Sequence, residues 1–410
     1  MTFNNSDPVT VSFAGLDMEG IYINASGENA VVKLKSGYNI CVPKSAVTPR
    51  DGAEAPSKPA AVPLEQNEKL PLLSIISTGG TIASTVDYRT GAVSSKFTAE
   101  DILRSIPELA EIARYRTLQP YNILSENMNP EMWQELARTI YNEILAGSKG
   151  IIVTHGTDTM LYSAAAVSFM LDTTVPVIFV GAQRSADRPS SDNAINAICS
   201  AQTGVSELGE VVVCMHSTSS DTSCSLHRAT RVRKNHTSRR DAFQSIGRDA
   251  VGTVSYPDGK VVLADDAVKR GQNSLVLKAE LEPACGLLTY YPGMNPAVLD
   301  AFKGYKGLVI AGTGLGHTGT DCIEKIAALT AAGTTVVMTS QCMAGSVCDR
   351  VYETGRYLLD AGVIEAGNML PEVALVKLMW VLANAEAKDV KRLMQTNLKG
   401  ELDVDIRGEN

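Results

Sequence analysis

The sequence predicts an α/β protein with two parallel-sheet units, preceded by a small all-β domain. From residue 72 onward, short apolar runs alternate with helical patterns, which is typical of parallel sheets covered by helices. Before that point, short stretches alternate apolar and polar residues and are separated by turn signals. The predicted organisation is a β-barrel at 1–50, a linker at 51–70, a large α/β domain at 71–300 and a smaller α/β domain at 301–410.

Composition limits the classes of function that the chain can have. Of its 410 residues 44% are hydrophobic and 20% are charged, as in soluble globular proteins, and its net charge is -8. The acidic balance disfavours broad binding to nucleic acids or anionic membranes. The start lacks the features of a signal peptide, and no apolar run reaches the ~18 residues of a membrane span. Eight scattered cysteines without a Cys-x-x-Cys motif predict free thiols in the cytoplasm and no metal site.

The N-terminal segment predicts an SH3-like barrel. The strands VTVSFAG, EGIYIN, AVVKLKSG and YNICVP are separated by turn signals such as Ser26-Gly27 and Ser36-Gly37. It contains no cluster of catalytic residue types, so we expect a packing or docking module. The following stretch, 51–70, has three prolines and no apolar periodicity, as an exposed linker would.

The large domain is predicted from strands that end in polar residues. LLSIIS precedes TGGT, GIIV precedes THGT and VPVIFVG precedes AQRS, whereas PEMWQELARTIYNEIL has a helical apolar stripe. In parallel sheets, ligands bind beyond the carboxyl ends of the strands, where these polar residues lie. GLVIAGTG, TTVVMTS and two helical patterns predict a smaller α/β unit after a proline-rich junction around 282–306.

Two polar segments could carry chemistry. In STGGTIAS, the glycines allow a sharp turn that would present Thr81, although a plain turn or a phosphate cradle is an alternative. No Gly-Lys-Ser/Thr or GxGxxG motif supports nucleotide binding. In HGTDT, Thr157 and Asp158 stand at a helix start, and taken alone this motif favours N-capping over catalysis. A helix N-terminus can also stabilise an oxyanion.

The third segment, HRATRVRKNHTSRRDAF, has six cations within an acidic chain. A solvated basic loop, an RNA-facing patch and a cation that reaches the active site are the alternatives. A threonine is a poor nucleophile until a base takes its proton, and a desolvated lysine beside other cations can serve as that base. An aspartate could orient the lysine or hold the ammonium group of a substrate.

STGGTIAS, THGTDTMLYSA and RVRKNHT, in this order, resemble the active-site segments of bacterial-type L-asparaginases over residues 72–385. The resemblance implies an asparaginase-like two-domain fold. It also implies that Thr81 and Thr157 are the two catalytic threonines, that Lys234 activates Thr157 and that Asp158 holds the substrate's α-amino group. Which threonine attacks first is left open.

Further residues are implied only by this resemblance. Tyr88 matches the lid tyrosine that assists Thr81, and Ser125 and Glu126 match the pair that binds the substrate's α-carboxylate and amino groups. Many asparaginases have glutamine at the second position, so Glu126 is a departure that leaves the choice between glutamine and asparagine open. Asp349 and Glu353 are candidates for an acid near Thr81 across a subunit interface. The implied reaction is hydrolysis of a side-chain amide through a threonine ester.

The barrel, MAGSVCDRVYETGRYLL and NMLPEVALVKLMW are similar to one subfamily, the D subunits of archaeal glutamyl-tRNA(Gln) amidotransferases. This similarity implies a glutaminase that passes ammonia to a GatE-type E subunit, which amidates Glu-tRNA(Gln) with ATP and Mg²⁺. It implies a homodimer core in a heterotetramer, with tRNA(Gln) bound mainly by the partner and no cofactor in this chain. The alternatives are a free-standing cytoplasmic asparaginase or glutaminase, and a non-catalytic small-molecule- or RNA-binding protein.

Overall fold

The structure is a computed structural model that describes residues 3, 7–35, 39–50, 66–79, 85–86, 93–94, 99–185 and 190–403. Most of the predicted linker, together with Thr81 and Tyr88, lies outside these residues. Within the described ranges, no helix combines the length and the apolar character that crossing a bilayer requires.

The N-terminal residues form a five-stranded antiparallel sheet with the order β4-β3-β2-β1-β5. Its strands are β1 (Pro8–Phe13), β2 (Leu16–Ser26), β3 (Asn29–Leu34), β4 (Asn39–Pro43) and β5 (Val47–Pro49), with a 3-10 turn at Lys44–Ala46 before β5. Alternate residues such as Val9, Val11, Val32 and Val42 are buried in one cluster. The all-β region that the period-two alternation predicts is therefore present in the structure.

The first half of the large unit alternates strands and helices. Its elements are β6 (Leu72–Ser77), β7 (Thr85–Val86), β8 (Val93–Ser94), α1 (Ala99–Ser105), α2 (Leu109–Ile112), β9 (Arg114–Leu118), a 3-10 turn at Ser125–Asn127, α3 (Pro130–Leu145), β10 (Ile151–Thr154), α4 (Met160–Met170), β11 (Leu171–Asp172), β12 (Val177–Val180) and α5 (Asn193–Gly204). Asn129 caps α3 by accepting a hydrogen bond from the Met132 N–H, at 2.9 Å.

The second half of this unit consists of strands. They are β13 (Val211–His216), β14 (Ser223–Arg228), β15 (Val232–Lys234), β16 (Phe243–Ser245), β17 (Gly252–Ser255), β18 (Val261–Leu263) and β19 (Val276–Leu277). An eight-stranded sheet has the order β18-β17-β14-β13-β12-β10-β6-β9. The strands from β13 to β9 in this order pair in parallel, whereas β14, β17 and β18 extend the sheet antiparallel.

Helices cover both faces of the parallel strands. Side chains of α3 and α4 share a core with Ile151, Val153 and Phe179. Side chains of α1, α2 and α5 share another core with Ile152 and Val180. The strands are therefore apolar on both faces, as predicted from their uninterrupted apolar runs.

The C-terminal unit is a four-stranded parallel sheet with the order β20-β21-β22-β23. Its elements are β20 (Cys285–Thr289), a 3-10 turn at Pro296–Phe302, β21 (Gly307–Gly312), α6 (Thr320–Ala331), β22 (Thr335–Ser340), α7 (Glu353–Asp360), β23 (Ile364–Glu365), α8 (Pro371–Asn384), a 3-10 turn at Ala387–Asp389 and α9 (Val390–Met394). The first strand, β20, precedes residue 301, the predicted start of this domain. Residues of α8 and α4 share one core, so the two units pack together.

Candidate active site

The carboxyl ends of β6, β10 and β12 lie side by side. Thr154 is the Cα partner of both Ser77 and Val180. The register continues past the strands, because the Thr78 N–H donates to the Thr154 carbonyl at 3.0 Å and the His155 N–H donates to the Val180 carbonyl at 2.9 Å. The polar segments after these strands therefore meet at one edge of the sheet, as the sequence predicts.

Thr157 lies in the tight turn between β10 and α4, and the residue is 6% exposed. Two glycines allow close packing at this turn, Gly156 against Ser125 and Gly181 against Thr157. A Cβ on Gly156 would lie 2.6 Å from Cβ of Ser125, and a Cβ on Gly181 would lie 2.8 Å from Cγ2 of Thr157. Gly181 was not singled out from the sequence, although its position directly after VPVIFV marks the end of a strand. Gly181 therefore allows close packing against Thr157, and Gly156 allows Ser125 to approach the turn.

The capping interpretation of HGTDT is wrong. Helix α4 begins at Met160, its N-cap residue is Thr159, and that residue makes no side-chain capping bond. The Thr159 hydroxyl instead donates to the Ser125 carbonyl at 2.7 Å. Thr157 and Asp158 precede the cap, and their side chains contact Lys234. The lysine thus takes the place that the backbone N–H groups of the first turn would have in a capped helix.

Lys234 connects the third sequence segment to this turn. It ends β15, which pairs antiparallel with β16, and its Nζ donates to Thr157 Oγ1 at 2.9 Å and to Asp158 Oδ1 at 2.8 Å. The Lys234 side chain is 11% exposed, whereas the Asp158 side chain is 73% exposed. A partly desolvated amine is therefore within proton-transfer distance of a buried hydroxyl, and a carboxylate open to solvent orients it.

The other cations of this segment have partners elsewhere. Each is paired with at least one carboxylate, as follows: Arg228 with Glu210 and Asp266, Arg231 with Asp403, Arg233 with Glu372, Arg239 with Asp241 and Arg240 with Asp221. A patch that binds RNA phosphates needs cations that can exchange counterions for phosphate. Carboxylate partners neutralise these arginines, and this argues against the RNA-facing alternative for this segment.

Ser125 and Glu126 occupy a 3-10 turn beside the threonine turn. Ser125 is buried and contacts the Gly156–Thr159 turn through its carbonyl, and Glu126 is exposed. Ile123, two residues before Ser125, donates its N–H to the Thr78 carbonyl at 3.1 Å. This places the Ser125–Asn127 turn at the same sheet edge as Thr157, where a ligand could contact both.

The TGGT segment is described as far as Gly79. Gly79 has φ +108°, and a Cβ there would lie 2.4 Å from the Ile123 carbonyl oxygen. Only glycine combines this backbone conformation with so close an approach. The predicted Thr81 and Tyr88 follow and lie outside the described residues, so their roles stay predictions.

Two buried groups near the strand ends have shifted pKa values. Burial lowers the pKa of His155 to about 4, and its Nδ1 lies 2.7 Å from the Gly156 carbonyl oxygen, to which it donates. The ring is therefore neutral near pH 7 and fixes the turn that carries Thr157. Burial, with a smaller contribution from Glu365, raises the pKa of Asp349 to about 7.

The two candidate acids of the C-terminal unit contact residues of that unit. The Asp349 N–H donates to Glu365 Oε1 at 3.0 Å, and its carboxylate is buried. Glu353, at the start of α7, is exposed and accepts a hydrogen bond from the Tyr357 hydroxyl. Among the described residues, no group of three or more His, Cys, Asp or Glu side chains could hold a metal ion.

Comparison with known proteins agrees with this geometry. The family described as "Asparaginase, N-terminal" matches residues 72–269, and "Glutaminase/Asparaginase C-terminal domain" matches residues 285–394. The thermostable L-asparaginase from Thermococcus kodakarensis is 31% identical with a TM-score of 0.72, covering 81% of this chain and 99% of that one. A probable cytoplasmic L-asparaginase from Campylobacter jejuni is 25% identical with a TM-score of 0.68, covering 80% and 100%.

Other matches extend over almost the whole length of this chain and therefore include its N-terminal sheet. The D subunit of the glutamyl-tRNA(Gln) amidotransferase from Methanosarcina mazei is 50% identical over 98% of this chain and 99% of its own. The corresponding D subunit from Archaeoglobus fulgidus is 50% identical over 96% and 94%. The chain belongs to the asparaginase family and, within it, to the D subunits of glutamyl-tRNA(Gln) amidotransferases.

Proposed function

We propose that this chain hydrolyses the side-chain amide of glutamine and supplies the ammonia to a partner that converts Glu-tRNA(Gln) to Gln-tRNA(Gln). The observation that carries the proposal is the contact of Lys234 Nζ with Thr157 Oγ1 at 2.9 Å and with Asp158 Oδ1 at 2.8 Å. It supplies a nucleophile, a base and an orienting carboxylate, which is the arrangement that activated hydroxyl nucleophiles need. The full-length similarity to D subunits supports the choice of glutamine and of the tRNA-linked pathway.

The proposed chemistry has two stages. A threonine Oγ attacks the carboxamide carbon. Lys234, in its neutral form, takes the proton of the Thr157 hydroxyl; Thr157 is then either the nucleophile itself or the group that passes on the proton of the attacking threonine. The C–N bond then breaks, the nitrogen receives that proton, and ammonia leaves an ester on the threonine. Water attacks the ester, glutamate is released and the hydroxyl is restored. The similarity to asparaginases assigns the second hydroxyl of this scheme to Thr81 and assistance of Thr81 to Tyr88, both of which lie outside the described residues.

Substrate binding is assigned to the polar groups around the turn. Ser125 and Glu126 would hold the α-carboxylate and amino groups, and Asp158 would add a second acidic group for the ammonium. The exposed Asp158 carboxylate can contact a ligand while it still orients Lys234, since each carboxylate oxygen accepts more than one hydrogen bond.

The division of labour with a partner follows from the proposed reaction. Amidation of a carboxylate needs activation by ATP, and we assign ATP and Mg²⁺ to an E-type subunit, together with most tRNA contacts. The D subunit would form the dimeric core of the assembly. Ammonia released into water is protonated and lost as a nucleophile, so hydrolysis should be coupled to the partner and the bound tRNA.

The deciding experiment measures glutamine and asparagine hydrolysis by the chain alone, with an E-type subunit, and with that subunit and Glu-tRNA(Gln). We expect glutaminase activity that rises in the assembled state and Gln-tRNA(Gln) formation that depends on it. Strong hydrolysis by the chain alone, unchanged on assembly, would favour a free-standing asparaginase or glutaminase. The absence of hydrolysis in every state would favour a non-catalytic binding protein.

A further inference from the structure

The C-terminal residues 397–403, called here the tail segment, are held by a buried ion pair. Glu401 and Lys377 of α8 are both 0% exposed, and Lys377 Nζ lies 2.6 Å from Glu401 Oε1. Glu401 also accepts the N–H groups of Leu398 at 3.0 Å and Lys399 at 2.6 Å. This pair joins the tail segment to α8, and removing either partner would leave the other charge buried and uncompensated.

The tail segment in turn holds the residues that precede Lys234. Thr230 Oγ1 donates to the Lys399 carbonyl at 2.8 Å, and Arg231 Nε donates to the Gly400 carbonyl at 2.8 Å. The Arg231 guanidinium, 2% exposed, also donates to Asp403 Oδ1 at 3.1 Å. Three donors on Thr230 and Arg231 are thus matched to three acceptors on the tail segment, and the planar fork fixes direction as well as distance.

Asn368 completes the set of acceptors around this guanidinium. Its side-chain and main-chain oxygens lie 3.4 Å from Nη2 and Nη1 of Arg231. The Asp403 N–H donates to Asn368 Oδ1 at 3.1 Å, so the loop before α8 and the tail segment are joined as well. Arg231 therefore sits in a socket built from two remote parts of the chain.

Only a short strand separates this socket from the candidate base. The Ile246 N–H donates to the Arg231 carbonyl at 2.7 Å, and β15 then pairs with β16 up to Lys234 and Phe243. Val232, which follows Arg231 in this strand, is fully buried. Because a paired, core-anchored strand bends little over three residues, the position of Arg231 sets the position of the Lys234 backbone, from which Nζ reaches Thr157 and Asp158.

We infer that the tail segment is a positioning element for the amide-hydrolysis reaction, which holds through Arg231 the strand that presents Lys234 to Thr157. Arg231 is a positioning residue, because its contacts are with the tail segment and Asn368 and not with Thr157. The inference rests on the proposed function. A base displaced by about 1 Å can lose up to about 10²-fold in rate, which sets the size of the expected effect.

The test is Arg231→Lys in the full-length chain assembled with its partner. Lysine keeps the charge and loses the planar fork. We expect kcat for glutamine hydrolysis to fall by about 10- to 100-fold with KM within about twofold, because the substrate contacts are untouched. The acid limb of the kcat–pH profile should move, since it reports the essential base in the enzyme–substrate complex.

Arg270→Lys is the matched control. Arg270 also donates to main-chain carbonyls, those of Lys149, Gly204 and Ser206, but at the opposite edge of the sheet from Thr157. This variant should lower the melting temperature and leave the acid limb in place. If Arg231→Lys yields too little folded protein, Thr230→Val serves instead, because it removes one hydrogen bond to the tail segment at nearly constant volume; it should shift the limb in the same direction by less.

The outcomes separate this inference from the function on which it rests. The positioning role alone would be overturned by three results together. The wild-type assembly is active, Arg231→Lys and Thr230→Val leave the acid limb of its kcat–pH profile in place, and both variants lower kcat only in proportion to the unfolded fraction. An inactive wild-type assembly would overturn both the positioning role and the proposed function.

Discussion

Lys234 Nζ lies 2.9 Å from Thr157 Oγ1 although 77 positions separate the two residues in the sequence. The parallel strands bring one end of this pair to the sheet edge, and the β15–β16 hairpin brings the other. The pair is the centre of the proposed site, and substitutions at these two residues and around them test the proposed reaction.

Thr157→Val should nearly abolish glutamine hydrolysis. The substitution removes the hydroxyl that Lys234 contacts and keeps the methyl group that packs against Gly181. We expect kcat to fall by roughly 10⁴–10⁶-fold, as when one member of a catalytic hydroxyl–base set is removed. The measurement is ammonia release by the assembled enzyme, with circular dichroism as the check on folding; a wild-type rate would remove Thr157 from the mechanism.

Lys234→Met should slow hydrolysis by about 10²–10⁴-fold, the usual contribution of a positioned general base. Lys234→Arg should be nearly as slow, because a guanidinium keeps the charge but does not give up its proton near neutral pH. Kinetics across pH 6–9 would show the loss.

The control for both is Lys325→Met. Lys325 on α6 pairs with Asp300 at 2.9 Å, so the variant also removes a lysine that faces a carboxylate. It should leave kcat unchanged. If Lys234→Arg hydrolysed glutamine at the normal rate, proton transfer by this residue would be ruled out, and its charge alone would suffice.

Gly156→Ala should impair substrate binding as well as turnover. The added Cβ would lie 2.6 Å from Cβ and 2.8 Å from Oγ of Ser125, so either the turn of Thr157 or Ser125 must move. Overpacking of this kind costs about 1–3 kcal/mol of stability. We expect a raised KM together with a lowered kcat, measured by steady-state kinetics.

Gly333→Ala is a suitable comparison. Gly333 has φ +95° and an open surrounding, so alanine costs backbone strain without a clash, and the residue lies in the C-terminal unit between α6 and β22. It should lower the melting temperature without changing KM. Equal kinetic effects of the two substitutions would mean that Gly156→Ala acts only through global stability.

Local pattern was enough to predict much of the architecture. Apolar runs followed by small polar residues predicted that TGG and THGT would meet at one sheet edge, because parallel strands end on the same side. The apolar stripe Met132, Leu136, Ile140 and Ile144 predicts the helix α3; the last three residues are buried and Met132 is half-buried. These features depend on residues that are near one another in the chain.

The features that the sequence did not predict depend on contacts between residues that are remote in the chain. The arginines around Lys234 suggested a basic loop, but the carboxylates that pair with Arg231 and Arg233 are Asp403 and Glu372, far along the chain. Likewise, capping by Thr157 and Asp158 was a sound local inference that failed because Lys234 attracts both side chains. The first strand of the second sheet, β20, lies between Pro283 and Pro292, and these prolines predict a junction there and not a strand.

Asp349 should make the folded protein less stable as pH rises from about 4 to about 7. Burial raises its pKa from 3.8 to about 7, so in this window the folded state binds a proton that the unfolded state has released. The free energy of unfolding then falls with rising pH, by at most about 4 kcal/mol. His155 and His227, whose pKa values burial lowers to about 4, act in the opposite direction below pH 6.5.

Comparing wild type with Asp349→Asn isolates this contribution, because both proteins keep the histidines. Asparagine resembles the protonated carboxyl group and does not titrate, so the variant should gain stability over wild type as pH rises from 5 to 8. Urea unfolding at several pH values gives the difference between the two proteins. A constant difference across this range would mean that Asp349 has the same pKa in the folded and unfolded states, and that its burial is relieved by water or by an assembled partner.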